Sequence, residues 1–248
     1  MIEVDEQAGV TVLRMADGKA NAMSLEFCEL LTARFQTLGS SPSSAVVITG
    51  TGRIFSAGVD LLRLLDGGAP YIRKFLPALS TMLTTVFSFP KPVVAAVNGH
   101  AIAGGCVLAC AADQRLMARE AGRIGVTELL VGVPFPSVAM EIMRCATTSR
   151  YFEEAIFGGA TYAPAEAAQR GLANEIVASE ELLAGAVARA KALAAISPSA
   201  FALTKRQMRQ PALERVAGDT SRDEVEQIWT APETLERIRA YVARTLRK

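Results

Sequence analysis

Apolar positions recur in two rhythms along this chain. Val10 to Met15 has the short, β-branched character of a strand. Ala45-Val46-Val47-Ile48-Thr49 reads as a short buried strand closed by Gly50-Thr51-Gly52, and Pro92 to Val97 is a third β-rich run, ended by the turn signal Asn98-Gly99. Between them, Phe27, Leu30, Leu31, Phe35 and Leu38 return at helical spacing behind Ser24, a residue suited to cap the helix. Another helix is predicted to begin near Gly104. This alternation argues for an α/β layered fold rather than separate all-α and all-β parts.

The second half changes character. Pro164 sits at a first helical position and Gly171 is placed to stop that helix with a left-handed cap. From Ser179 onward the chain is rich in alanine, leucine and glutamate, which predicts mostly helix, punctuated by Ser197-Pro198 and Ala231-Pro232. Without a repeat or low-complexity tract, the pattern supports one soft boundary, with a core over residues 1–190 and a helical region over 191–248.

With 248 residues, half of them apolar, the chain can bury a large core. Its 26 basic and 25 acidic residues form no long block of one sign, so a nucleic acid or a membrane surface is not an expected partner. Small molecules or copies of itself are. The acidic start, Met1-Ile2-Glu3-Val4-Asp5-Glu6, lacks the layout of a secretory signal, and no apolar run approaches the roughly 18 residues that span a bilayer, so a cytoplasmic location is expected. Cys28, Cys106, Cys110 and Cys145 show no Cys-x-x-Cys spacing and are expected to be buried free thiols, with Cys106 and Cys110 on one helix face.

Several chemistries are disfavoured by what is missing. A Ser-His-Asp triad needs a histidine, and the one present, His100, follows the Asn98-Gly99 turn, where a turn or packing role is expected. Gly50-Thr51-Gly52 begins like a dinucleotide fingerprint, but Phe55 stands where the third glycine belongs. No phosphate loop occurs, and no side chains have metal-ligand spacing, so no metal site is expected. Two segments remain that look built to expose backbone: Phe55-Ser56-Ala57-Gly58-Val59-Asp60, before an apolar stretch, and Ala103-Gly104-Gly105-Cys106, opening a helix. Helix N-termini carry unpaired N–H groups that suit them to a developing oxyanion. Taken singly, either set of glycines can equally serve close packing.

In this order, however, residues 55–60, Lys91-Pro92-Val93 leading to Asn98-Gly99, Ala103-Gly104-Gly105-Cys106, and Ala163 to Val177 closely resemble the enoyl-CoA hydratase/isomerase family, the crotonases, over nearly the whole chain. The resemblance implies an α/β spiral of ββα units with a helical C-terminal oligomerisation region, assembled as a homotrimer or a dimer of trimers. It implies an acyl-CoA substrate with no cofactor beyond that CoA, and a thioester oxygen held by the backbone N–H groups of Val59 and Gly104. Relatives that hydrate carry two glutamates; the matching positions here are Val107 and Glu128, in Gly125-Val126-Thr127-Glu128-Leu129. A single catalytic carboxylate, Glu128, resembles the Δ3,Δ2-enoyl-CoA isomerase branch. A hydratase or other crotonase reaction run by Glu128 alone, or a non-catalytic acyl-CoA binder, are the alternatives. Substrate contacts are implied for Ala57, Asp60, Leu61, Gly105 and Phe135, although Asp60 also reads as a helix cap. The Pro134-Phe135-Pro136 segment is positioned to reshape an acyl pocket. Lys205 and Arg206 are candidates for the CoA phosphates, with a solvated face the stronger reading for both.

Overall fold

The computed structural model describes residues 1–120 and 122–245. It opens with an antiparallel hairpin, β1 (Ile2–Gln7) and β2 (Val10–Met15), followed by helix α1 (Leu25–Gly39), whose Phe27 amide donates to Ser24 Oγ at 3.1 Å. Three turns of one design come next. The first runs β3 (Ala45–Thr49), β4 (Ile54–Ser56), α2 (Leu61–Ser88); the second β5 (Val93–Val97), β6 (His100–Ile102), α3 (Gly104–Ala111); the third β7 (Gln114–Ala118), β8 (Ile124–Gly125), α4 (Glu128–Val131). Each turn gives one strand to a six-stranded sheet, ordered β1-β2-β3-β5-β7-β9 with β9 at Glu175–Val177, and one to a three-stranded sheet, β4-β6-β8. Beyond the hairpin the large sheet is parallel. The expected spiral of strand-strand-helix units is therefore what the chain builds.

Successive strand residues point to opposite faces, and here both faces are covered, which is why β3 and β5 read as unbroken apolar runs. On the inner face Val46, Ile48, Val93, Ala95 and Val97 join α1, α2 and α3 in the main core. After α5 (Ser137–Ala146), α6 (Ser149–Gly158), α7 (Pro164–Arg170) and β9, the chain returns over the outer face. There α8 (Leu182–Ala194) sets Leu182, Ala186, Val187 and Ala190 on Val10, Val12, Ala45, Val47, Val94 and Ala96. Residue 190 thus lies inside α8, and the helical break falls at 195–197, before α9 (Pro198–Ala217), α10 (Arg222–Thr230) and α11 (Pro232–Thr245). Pro164, Pro198 and Pro232 each open a helix, and Gly171, with φ 83°, ends α7 as expected.

The long helix α2 was legible only at its start. Asp66-Gly67-Gly68-Ala69-Pro70 carries the composition of a break, and Gly68, at φ 54° and ψ −155°, does interrupt the helical backbone before it resumes through Pro70 and Pro77. What holds the second segment is its apolar stripe, Ile72, Phe75, Leu79, Met82, Leu83 and Val86, all buried.

Two expectations are corrected by packing. Cys145 is exposed, because it sits beside Arg144 on the solvent face of α5; Cys28, Cys106 and Cys110 are buried free thiols. Lys205 is not on a solvated face but 5% exposed. It reaches Asp113 Oδ2 at 2.8 Å, while Arg209 holds Asp113 Oδ1 at 2.7 Å and also donates to the Phe87 carbonyl. Asp113 Oδ2 in turn accepts from the Val93 amide at 2.7 Å, so this cluster ties α9 to the start of β5. Burial outweighs the attraction of Asp113 and pushes the Lys205 ammonium down to about 8.

Removing the anion would leave two enclosed cations with backbone carbonyls but no counter-ion. Asp113→Ala is expected to destabilise the fold by about 3 kcal/mol. Equilibrium urea unfolding measures this, and a loss below about 1 kcal/mol would show the cluster to be solvated rather than structural.

Candidate active site

Residues 54–60 pass through a lattice of hydrogen bonds laid down by Ala20–Met23. The Ala57 amide donates to Ala20 O at 2.9 Å, Ser56 Oγ donates to Asn21 O at 2.8 Å, and the Gly58 amide donates to Ser56 Oγ at 3.2 Å. Met23 N donates to Gly58 O at 2.8 Å and Asp60 N to Met23 O at 3.1 Å, the parallel bridge pattern in which the central residue, Val59, makes no bond of its own. Asp60 caps α2, its Oδ1 accepting from Leu62 and Arg63 at 3.1 and 3.0 Å. Among the described residues the Val59 amide therefore has no acceptor, while those of residues 57, 58 and 60 are satisfied.

Gly104 begins α3, and the first amides of a helix have no partner within it. Two close approaches bring it to Val59. A Cβ on Gly58, whose φ is 85°, would lie 2.7 Å from Ile102 O and 3.0 Å from Gly104 N. A Cβ on Gly105 would collide with the Ser56 carbonyl, so that glycine lets the helix start against β4. Ala103, just ahead, is held at φ 51°, a strained backbone for a residue with a side chain. The two unpaired amides thus lie side by side, an arrangement able to grip one anionic oxygen in place of water.

Glu128 stands near this pair because β8 runs beside β6. Ala103 N donates to Gly125 O at 2.8 Å, and three residues later the chain begins α4 with Glu128. The residue as a whole is half-buried, but its Oε2 is shut off from solvent and has no hydrogen-bond partner. It is this enclosed end that titrates. Desolvation pushes the carboxyl up to about 7, against partial stabilisation of the anion by the Glu128 and Thr127 amides. Its charge also helps to raise the Cys106 thiol on α3, behind the Cys110 contact and burial. The other two enclosed carboxylates are spoken for: Asp113 by Lys205 and Arg209, Glu141 by Arg215 at 2.6 Å and Arg144 at 3.2 Å. Val107 is 1% exposed in the core and supplies no second acid.

The remaining sequence candidates are distributed as follows. Ala57 is exposed, Asp60 and Leu61 half-buried, on the rim of the Val59 loop; Gly105 is buried against β4; Phe135 is buried in the loop after α4. Arg206 stays exposed on α9, whereas Lys205 is withdrawn into the Asp113 cluster. His100 accepts from the Arg123 amide at 3.2 Å through Nδ1, a packing role. A cavity of about 370 Å³ lies between α2, the start of α5 and α10, lined by Leu76, Thr81, Pro136, Ser137, Asp219 and Arg222, and none of the candidates above is in its wall. Sequence reasoning missed Asn21 and Met23. Asn21 adopts φ 46° and ties Ile54 O and Phe55 O with its amide, and Met23 Sδ packs on Gly104. An asparagine just ahead of a capping serine was the available signal, since it tolerates left-handed backbone.

Comparison with known proteins gives a consistent answer. Residues 5–237 match the family model described as enoyl-CoA hydratase/isomerase. A putative enoyl-CoA hydratase of Thermus thermophilus is 34% identical over 209 residues, covering 83% of this chain and 82% of that protein. The human mitochondrial enoyl-CoA delta isomerase 1 is 29% identical over 226 residues, covering 90% and 74%. The crystal structure of human mitochondrial delta3-delta2-enoyl-CoA isomerase superposes with a TM-score of 0.91 at 26% identity, covering 98% of this chain and 97% of that one.

The enclosed carboxyl carries a signature in stability. Its folded value, about 7, lies above the ordinary 4.5, so the native state holds the proton more tightly than the unfolded chain does. Stability from this group is complete below pH about 4.5 and is lost as pH rises through about 7. Glu128→Gln should therefore be more stable than wild type by about 3 kcal/mol at pH 8 and no more stable at pH 4. Denaturation curves with the same gap at both pH values would contradict an enclosed, unpaired carboxylate.

Proposed function

The chain belongs to the enoyl-CoA hydratase/isomerase family, and from that premise we propose that it interconverts 3-enoyl- and 2-enoyl-CoA thioesters, with Glu128 as the only acid/base. The observation that carries this reading is a buried carboxylate oxygen, Glu128 Oε2, without a partner among the described residues, with apolar Val107 where a hydrating relative has its other acid. The Val59 and Gly104 amides receive the thioester oxygen. Glu128 takes a proton from C2 of the 3-enoyl thioester, and the electron pair left behind spreads over the oxygen, C2 and C4. The same carboxyl, now protonated, delivers that proton at C4, the double bond moves to C2–C3, and the base is restored. No water enters and no atom is gained or lost.

The enclosure of Glu128 serves this shuttle twice. A carboxyl near 7 is basic enough to take a C–H proton made acidic by the adjacent carbonyl, and returns it readily once the dienolate has formed. Exclusion of water from its enclosed oxygen, Oε2, keeps the proton from being lost between the two steps. In this reading Ala57, Asp60 and Leu61 at the rim contact the CoA moiety and Phe135 the acyl chain, and the substrate's own CoA is the only cofactor. A trimer or a dimer of trimers accompanies the reading; exposed Leu129 and Leu130, next to Glu128, and Phe157 on α6 are apolar surface available to a neighbouring copy.

Separate incubations with a 3-enoyl-CoA and a 2-enoyl-CoA decide the reaction. The 3-enoyl thioester is expected to be isomerised and the 2-enoyl thioester not to be hydrated; hydration without isomerisation would make the protein a hydratase. Glu128→Gln should abolish turnover while acyl-CoA binding, followed by calorimetry, persists. Turnover unchanged in that variant would remove Glu128 from the chemistry. Gly58→Ala, which sets a methyl against Gly104 N, is expected to lower kcat by about 10²-fold with the fold retained by circular dichroism.

A further inference from the structure

Glu128 begins a helix too short to hold it. α4 has four residues and no side-chain cap at Thr127, and an isolated turn of that length is unstable by itself. Its exit is held instead by backbone. Gly132, at φ 94°, donates to Glu128 O at 3.0 Å, and Val133 donates to the same oxygen at 3.1 Å. The next residues, Pro134-Phe135-Pro136, include two prolines, which bring no N–H of their own with which to anchor the loop.

What meets them comes from the far end of the chain. Trp229, in the last turn of α10, is 2% exposed, and its indole Nε1–H donates to Pro134 O at 2.9 Å across 95 residues of sequence. One helix later, the Arg237 stem lies against Gly132, where a Cβ would come within 3.0 Å of its Cδ. Two C-terminal side chains thus grip residues 132 and 134, on either side of Val133, whose amide is bonded to Glu128 itself. We infer that Trp229 is a positioning residue, fixing the Glu128 carboxylate through the Pro134 carbonyl and the Val133–Glu128 backbone bond.

The inference rests on Glu128 being the acid/base but not on which enoyl-CoA reaction it performs. It makes the C-terminal helices part of the same subunit's active site. Because the grip is a single donor on a backbone carbonyl, phenylalanine keeps most of the ring's packing and deletes only the N–H.

The test is a cycle with Glu128→Asp, whose shortened carboxylate is already displaced. Trp229→Phe is expected to lower kcat about tenfold in the wild-type background and less than twofold in E128D, because a residue that acts through Glu128 has little left to position there. An equal loss in both backgrounds, or none in the wild type, overturns the inference. Should W229F not fold, the chain's single tryptophan supplies a second readout. With 5-fluorotryptophan incorporated, its one ¹⁹F resonance is expected to differ between wild type and E128Q by more than the line width; coincident resonances would refute the coupling. Wild-type turnover in E128Q would instead remove the Glu128 reading on which this inference stands.

Discussion

The interaction on which the site depends is the pairing of Ala20–Met23 with Ile54–Asp60. It is not a regular ladder. Side-chain oxygens and amides of Asn21 and Ser56 replace several strand bonds, and the register places Val59 at the one position of a parallel bridge whose amide points away from its neighbour. An amide held without a protein acceptor is left to water or a ligand, and the surrounding bonds keep it so. Here they leave it no local alternative. A second unsatisfied donor, Gly104 N, arises for a different reason, because every helix begins with spare N–H groups, and glycines at 58 and 105 bring the two together.

The parallel sheets supply the rest. Consecutive turns of the spiral end their short strands β4, β6 and β8 side by side, so the loops that leave them are neighbours although far apart in sequence. One loop carries Val59, the next Gly104, the third Glu128. Donors and carboxylate therefore share a frame fixed by main-chain bonds, with side-chain chemistry entering only at the last. With Val107 packed in the core, burial of Glu128, not a second charged group, raises its proton affinity.

Much of this was legible locally. Ser24, Asp60, Pro164 and Gly171 do what their residue types and positions imply, and the five-residue runs of β3 and β5 announce strands covered on both faces. Features that depend on distant partners were not. Lys205 looks like any lysine on a polar helix until Asp113, 92 residues earlier, is seen to meet it. Cys145 turns outward beside Arg144, whereas Cys110 lies in an unbroken apolar run and turns inward. The length of α2 was not read from the sequence, because its two prolines and the Gly67-Gly68 pair sit in a helix held by tertiary packing of its apolar stripe. Trp229 offered only its rarity. The carboxylate at 128 was readable from apolar neighbours; its unpaired oxygen was not, since pairing is decided by what the fold leaves out.

The cover that α8 places on the outer sheet face has a consequence for synthesis. Strands β2, β3 and β5 are complete within the first hundred residues, yet Val10, Val12, Val47 and Val94 stay bare until Leu182 to Ala190 have been made. A nascent chain therefore carries an adhesive β surface through the production of more than eighty further residues, an interval of several seconds at ordinary translation rates. Chaperone demand for this protein should be concentrated in that interval, and truncations that stop before α8 should aggregate even though every strand preceding it is present.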